Sequence, residues 1–276
     1  MRVAVIQMSP GADKGENIAQ ARGLIEGLLA EQKVDLLVLP EMWTCLGGSR
    51  ANKFAAAETL PVPGGTGGEA YEFLRGMAVV HNVYVHGGSI GELAGEKILN
   101  TSIVFNPLGE ELGRYRKIHL FDITTPDGQG YRESAIYGAG DEVVTLDIAG
   151  TRVGLAICYD IRFPELFLAL RRAGAELIVL PAAFTLQTGK DHWEVLLRAR
   201  AIETQCWFAA SGTCGTHHEG NGEPRQTYGH SLIVDPWGHV VAKASDGPGW
   251  AVATINKAFT AKVRANMPLL DHRRLA

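Results

Sequence analysis

Apolar residues recur along the chain in a pattern that repeats itself. Near-continuous apolar runs closed by proline occur twice, as Val34-Asp35-Leu36-Leu37-Val38-Leu39-Pro40 and Ala175-Glu176-Leu177-Ile178-Val179-Leu180-Pro181. Such runs fit strands buried on both faces. Each follows a helical pattern, at 17–32 in the first case and 164–173 in the second. A second motif is also repeated: Ser102-Ile103-Val104-Phe105-Asn106-Pro107-Leu108-Gly109 is matched by Ser231-Leu232-Ile233-Val234-Asp235-Pro236-Trp237-Gly238. Both read as a strand, an Asn/Asp-Pro turn with glycine, and a returning strand, hence a β-hairpin. Between the members of each half lie a further helix and strand, at 69–81 and 83–87, then at 192–204 and 206–211. Two matched pairs in the same order predict a duplicated unit. Its expected fold is α/β: two sheets packed face to face and backed by helices, a four-layer α-β-β-α sandwich with internal two-fold pseudo-symmetry. No long linker interrupts residues 1–276, which read as one domain.

Composition narrows what such a fold does. With 46% hydrophobic residues, the 276-residue chain supports a large core. Its formal net charge is −4 and no run of Lys or Arg stands out, which argues against a nucleic-acid backbone as partner. No apolar stretch approaches a membrane span, so no membrane partner is expected. The N-terminus enters a strand-like run at once, without the features of a signal peptide, and predicts a cytoplasmic address. The four cysteines, at 45, 158, 206 and 214, then read as reduced thiols. Cys206, Cys214, His217, His218 and His230 are types that bind zinc, but their spacings fit no common zinc pattern, so no metal is expected.

Ligand sites of α/β sheets lie at the carboxyl ends of strands. Three reactive residues fall at such ends: Glu41 after the first proline-closed run, Cys158 after 152–157, and Lys117 after the returning hairpin strand. Each alone has a structural reading: a small buried hydrophobe, an acid at a helix start, a solvated surface cation.

Together they say more. Leu39-Pro40-Glu41, Arg116-Lys117-Ile118-His119 and Cys158-Tyr159-Asp160-Ile161-Arg162-Phe163-Pro164-Glu165-Leu166, in this order, resemble the nitrilase superfamily of carbon–nitrogen hydrolases over essentially the whole chain. Phe163-Pro164-Glu165-Leu166, residues 192–205, Cys214-Gly215-Thr216-His217-His218 and Tyr228-Gly229-His230-Ser231 are most similar to its Nit-type branch. Tyr159-Asp160 stands where true nitrilases usually carry Trp-Glu. The stretch 219–224 reads as an insertion with a looser match.

The resemblance implies a catalytic Glu41, Lys117 and Cys158, with Glu133 as a further glutamate between Lys and Cys. Cys158 would attack an amide carbonyl, with Glu41 as general base. Lys117 and the Tyr159 backbone N–H would hold the oxyanion. Loss of ammonia would leave a thioester for water to hydrolyse, with no metal or organic cofactor. Arg162, the backbone near Phe184, and Thr188 are implied to hold the carboxylate of a small-molecule amide such as deaminated glutathione; for Arg162 the alternative is a structural ion pair with Asp160 or Glu165. An ω-amidase acting on α-ketoglutaramate, an N-carbamoyl hydrolase and a non-catalytic scaffold are the other readings. The helices at 164–173 and 192–204 carry more apolar side chains than one sheet can cover. They predict a homodimer or higher homo-oligomer, unless the tail 266–276 covers them.

Overall fold

In the computed structural model, which describes residues 1–125, 128–218 and 224–274, the duplication is visible strand by strand. The first half contributes β1 (Arg2–Gln7), β2 (Leu36–Val38), β3 (Tyr84–His86), β4 (Lys97–Phe105) and β5 (Glu111–Arg116). The second contributes β6 (Thr151–Leu155), β7 (Leu177–Ala182), β8 (Trp207–Gly212), β9 (Leu232–Val234) and β10 (Val240–Lys243). Each half orders its five strands in the same way, the first three parallel and the last two an antiparallel hairpin. The registers agree too: Val3 lies opposite Leu36 as Val153 lies opposite Leu177. Each sheet gains an antiparallel neighbour at its first strand, Gly249–Thr254 beside β1 and Thr145–Ile148 beside β6.

Strand periodicity creates the layers. Along β1, Val3 and Val5 join Val153 and Leu155 in the core between the sheets, whereas Ala4 and Ile6 pack on the outer helices of their own half. Those helices are α1 (Lys14–Glu31) and α2 (Glu69–His81), which bury Ala21, Ile25, Tyr71 and Leu74. The second sheet is backed by α3 (Pro164–Arg172) and α4 (Glu194–Thr204) through Leu166, Phe167, Leu170, Leu197 and Ala201. Four layers result, as the duplicated pattern predicts. The two hairpin turns match closely: Asn106 N–H donates to Glu110 O and Asp235 N–H to His239 O. Their glycines, Gly109 (φ 78°) and Gly238 (φ 88°), occupy left-handed backbone that side chains disfavour.

Boundaries shift where local chemistry intervenes. The first helix starts earlier than its apolar period suggests, because Asp13 caps it by accepting from Glu16 N–H. The first proline-closed run is strand only over Leu36–Val38; the chain then leaves the sheet toward a turn at Met42 (φ 47°). The last long helix is regular only from Glu194, and a π turn at Gly189–Trp193 precedes it. Gly189 lies so close to Tyr228 that a β-carbon there would come within 2.2 Å of it. The insertion-like stretch 219–224 falls outside the described residues except for Pro224.

On α4, Val195 and Ile202 remain exposed, as do Trp237 and Val241 of the neighbouring hairpin. The C-terminal helix Lys257–Asn266 docks at the end of α4: Arg264 donates to Gln205 O and Ala175 O, Gln205 Nε2 to Met267 O, and Trp207 Nε1 to Thr260 Oγ1, leaving those four side chains uncovered. No helix among the described residues is long and apolar enough to cross a membrane.

Candidate active site

Glu41, Lys117, Glu133 and Cys158 converge at the floor of one cleft of about 360 Å³. Glu41 stands three residues beyond β2, in a segment gripped by Ser89 from both sides. Ser89 N–H donates to Pro40 O at 3.1 Å, and Met42 N–H donates to Ser89 Oγ at 3.0 Å. Gly88 is required here, because a β-carbon would meet Pro40 O at 2.0 Å. Lys117 follows β5 directly. Cys158 opens a 3₁₀ helix, Cys158–Arg162, and adopts φ 46°, a left-handed conformation that costs a non-glycine residue free energy. The sharp turn lifts the thiol out of the sheet and toward the cleft.

The polar network is nearly dry. Glu41 Oε1 accepts from Lys117 Nζ at 2.9 Å and from Asn100 Nδ2 at 2.8 Å; Oε2 accepts from Ala183 N–H at 2.8 Å. Lys117, only 2% exposed, also donates to both oxygens of Glu133, at 3.0 and 2.9 Å. Glu133 Oε2 accepts in addition from Phe121 N–H at 2.6 Å. The two carboxylates thus share one ammonium. Burial, the largest effect on Lys117, would lower its pKa, but Glu133 and Glu41 reverse this and hold the group charged, well above its ordinary value. Burial pushes the Cys158 thiol well up and neighbouring Glu41 adds to it, against Lys117 and the Ala183 N–H. The balance of these effects favours the thiol over the thiolate.

Among the other residues expected from sequence, Tyr159 lines the cleft, with its N–H in the unpaired first turn of the 3₁₀ helix. Phe184 and Thr188 form part of the wall. Arg162 does not. Its guanidinium lies 5.6 Å from the Phe184 ring centre and 5.9 Å from that of Tyr159, and bonds His192 Nδ1 at 3.2 Å. The expected alternative, an ion pair of Arg162 with Asp160 or Glu165, is not formed either; Asp160 is engaged by Tyr115, Ile157 and His119. The cations that line the cleft beside Lys117 are Lys53, Arg132 and Arg225. Asn100 and the Ala183 N–H were not legible as site groups, although alternating polar residues at Asn100 and Ser102 in a buried strand are a signal in retrospect.

The remaining thiols are dispersed. Cys45 lines the cleft, Cys206 donates to Ala175 O, and Cys214 is buried in the strand Cys214–His217. His217 bonds Pro10 O and Thr227 Oγ1. No group of three or more His, Cys, Asp or Glu among the described residues is arranged to hold a metal.

Two facing sheets from a duplicated unit, with a Glu–Lys–Cys cluster buried at one end, define a class. The chain belongs to the carbon–nitrogen hydrolase family, whose model matches residues 2–265, and so to the hydrolases of carbon–nitrogen bonds other than peptide bonds. Its similarity to individual proteins points to one branch. It is 42% identical over 276 residues to a deaminated glutathione amidase of Synechocystis sp., covering 98% of this chain and 97% of that protein. To the deaminated glutathione amidase of Homo sapiens it is 40% identical over 280 residues, covering 99% and 82%. Among solved structures, the Caenorhabditis elegans NitFhit protein superposes with a TM-score of 0.87 at 35% identity; the match covers 99% of this chain but 65% of NitFhit. Saccharomyces cerevisiae Nit3, described as a member of branch 10 of the nitrilase superfamily, superposes with a TM-score of 0.86 at 32% identity, covering 100% and 97%.

Proposed function

We propose that the chain is a cysteine-dependent amidase of small carboxylate-bearing amides, with deaminated glutathione as its substrate. The observation that carries this reading is the buried Cys158 thiol in the same cleft floor as the Glu41–Lys117 pair, which is joined at 2.9 Å. A thiol kept protonated needs its base at hand, and Glu41 is that base. As sulfur attacks the amide carbon, the thiol proton passes to Glu41, and Lys117 with the Tyr159 N–H takes the charge growing on oxygen. Collapse of the tetrahedral species breaks the carbon–nitrogen bond; Glu41 returns the proton to the nitrogen and the amine leaves, cysteinylglycine from deaminated glutathione or ammonia from a primary amide. A water deprotonated by Glu41 then hydrolyses the thioester and restores the thiol. Glu133 keeps Lys117 in place. The chemistry needs no metal or organic cofactor.

Product release measured across deaminated glutathione (read as cysteinylglycine), α-ketoglutaramate (ammonia), an N-carbamoyl amine and a simple nitrile (ammonia) tests the reading. Deaminated glutathione should be cleaved with the highest kcat/KM; preference for α-ketoglutaramate would make the chain an ω-amidase, and preference for the carbamoyl compound a carbamoylase.

The carboxylate end is assigned to cleft-lining cations rather than to Arg162. Arg132→Ala should lower kcat/KM for deaminated glutathione about tenfold and hardly affect an uncharged amide of similar size, as loss of one charge-assisted bond implies. Arg162→Ala should instead affect both substrates alike, since the guanidinium acts only by backing Phe184 and Tyr159. Selective loss in Arg162→Ala would return the clamp to that residue.

The exposed apolar residues Val195, Ile202, Trp237 and Val241 are proposed to be covered by a second copy of the chain. Light scattering at micromolar protein should give a dimer or a multiple of it. A monomeric mass would refute this, and would leave these side chains in solvent.

A further inference from the structure

Cys158 and Lys117 come from different halves of the chain, and one buried side chain grips the segments that carry both. Asp160, two residues after the nucleophile, is fully buried. Its Oδ2 accepts from Ile157 N–H at 2.8 Å, immediately before the turn that raises the thiol, and from the Tyr115 hydroxyl at 2.7 Å. Its Oδ1 accepts from His119 N–H at 3.1 Å and from His119 Nδ1 at 2.7 Å. Tyr115 and His119 flank Lys117 two residues to either side. The His119 ring is itself clamped, stacked 3.7 Å from Phe163, which follows the 3₁₀ helix. Every acceptor position of one carboxylate is therefore spent on joining the lysine segment to the cysteine turn.

A carboxylate held dry is expensive, and an apolar side chain would fill the same space at less cost. Its four bonds fall on the two segments whose relative placement the proposed reaction depends on. We infer that Asp160 is a positioning residue that sets the reach of the Lys117 ammonium to the carbonyl oxygen of a substrate attacked by Cys158. This rests on the roles given above to Cys158 and Lys117. A displacement of about 1 Å between reacting groups costs on the order of a hundredfold in rate.

Two variants separate positioning from simple support of the fold. In Asp160→Asn one oxygen becomes an amide N–H donor, so the backbone N–H of either Ile157 or His119 loses its acceptor. Tyr115→Phe removes one bond of the four and keeps the ring in the core. Kinetics with deaminated glutathione should show kcat about a hundredfold lower for Asp160→Asn and about tenfold lower for Tyr115→Phe. KM should stay within about twofold of wild type in both. Melting curves taken alongside should show protein fully folded at the assay temperature, and Cys158 should still be alkylated by iodoacetamide. Wild type measured against Cys158→Ala judges the amidase reading itself. If wild type is active, Cys158→Ala is dead, and the folded variants turn over at the wild-type rate, the positioning role is overturned. A loss that merely tracks the unfolded fraction overturns it as well. Should Asp160→Asn fail to fold, Tyr115→Phe decides alone.

Discussion

Cys158→Ala should cleave no amide measurably, deaminated glutathione included, while keeping a wild-type circular dichroism spectrum. The substitution removes the only atom proposed to bond to the substrate, and nothing in the cleft replaces it. Alanine inherits the left-handed backbone already imposed on Cys158, so the strain of the turn is unchanged (φ 46°). The volume lost is a single sulfur at the floor of the cleft, too little to threaten the fold. The control is a second thiol in the same wall: Cys45 lines the cleft, and Cys45→Ala should keep most of the activity. Cys206→Ala should do the same, since that thiol is buried elsewhere and donates to Ala175 O. A folded, inactive Cys45→Ala beside an active Cys158→Ala would mean that the wrong thiol carries the reaction.

Glu41→Gln is expected to lower kcat at least a hundredfold although the side chain keeps its shape. Two losses combine. An amide cannot accept the thiol proton, and the sulfur, held well above its ordinary pKa by burial and then by Glu41, does not ionise unaided. The glutamine also cannot accept at both ends. Either Ala183 N–H or the pair Lys117 and Asn100 must face an amide nitrogen where Glu41 offers oxygen. Glu133 still holds Lys117 through two bonds, so the ammonium stays charged and the fold survives. Quantifying kcat on protein shown to be folded checks the assignment. Retention of more than about a tenth of wild-type turnover would remove Glu41 from the role of base.

Much of this was legible in the sequence because the pattern is local. The buried parallel strands announce themselves as apolar runs, and the hairpin turns as Asn/Asp-Pro with glycine. The order of Glu41, Lys117 and Cys158 along a duplicated unit pointed to a common site. What could not be read is what the second half presents to the first. The Ala183 N–H that holds Glu41 is 142 residues away, and no periodicity carries that distance. Asp160 reads as a partner for Arg162 because the two stand two residues apart; the fold turns it inward, to Tyr115 and His119. The reach of Arg162 is hard to read for a related reason. Proximity to the nucleophile in sequence does not say which side of the Phe184 ring a long side chain will take.

The matched registers of the two halves have an evolutionary reading. Five residues beyond the paired Val153 and Leu177 stand Cys158 and Ala182; five beyond Val3 and Leu36 stand Met8 and Glu41. The nucleophile therefore has a thioether as its twin, and the base has a methyl group. Two copies of the first half would bring Glu41, Lys117 and Glu133 together twice with no thiol at the position of Cys158; two copies of the second would offer that thiol without Glu41 or Lys117. An ancestral symmetric pair built from either modern half would be inert. On the roles proposed above, only chains that keep both unlike halves should be active, and a chimera that duplicates one of them should catalyse nothing.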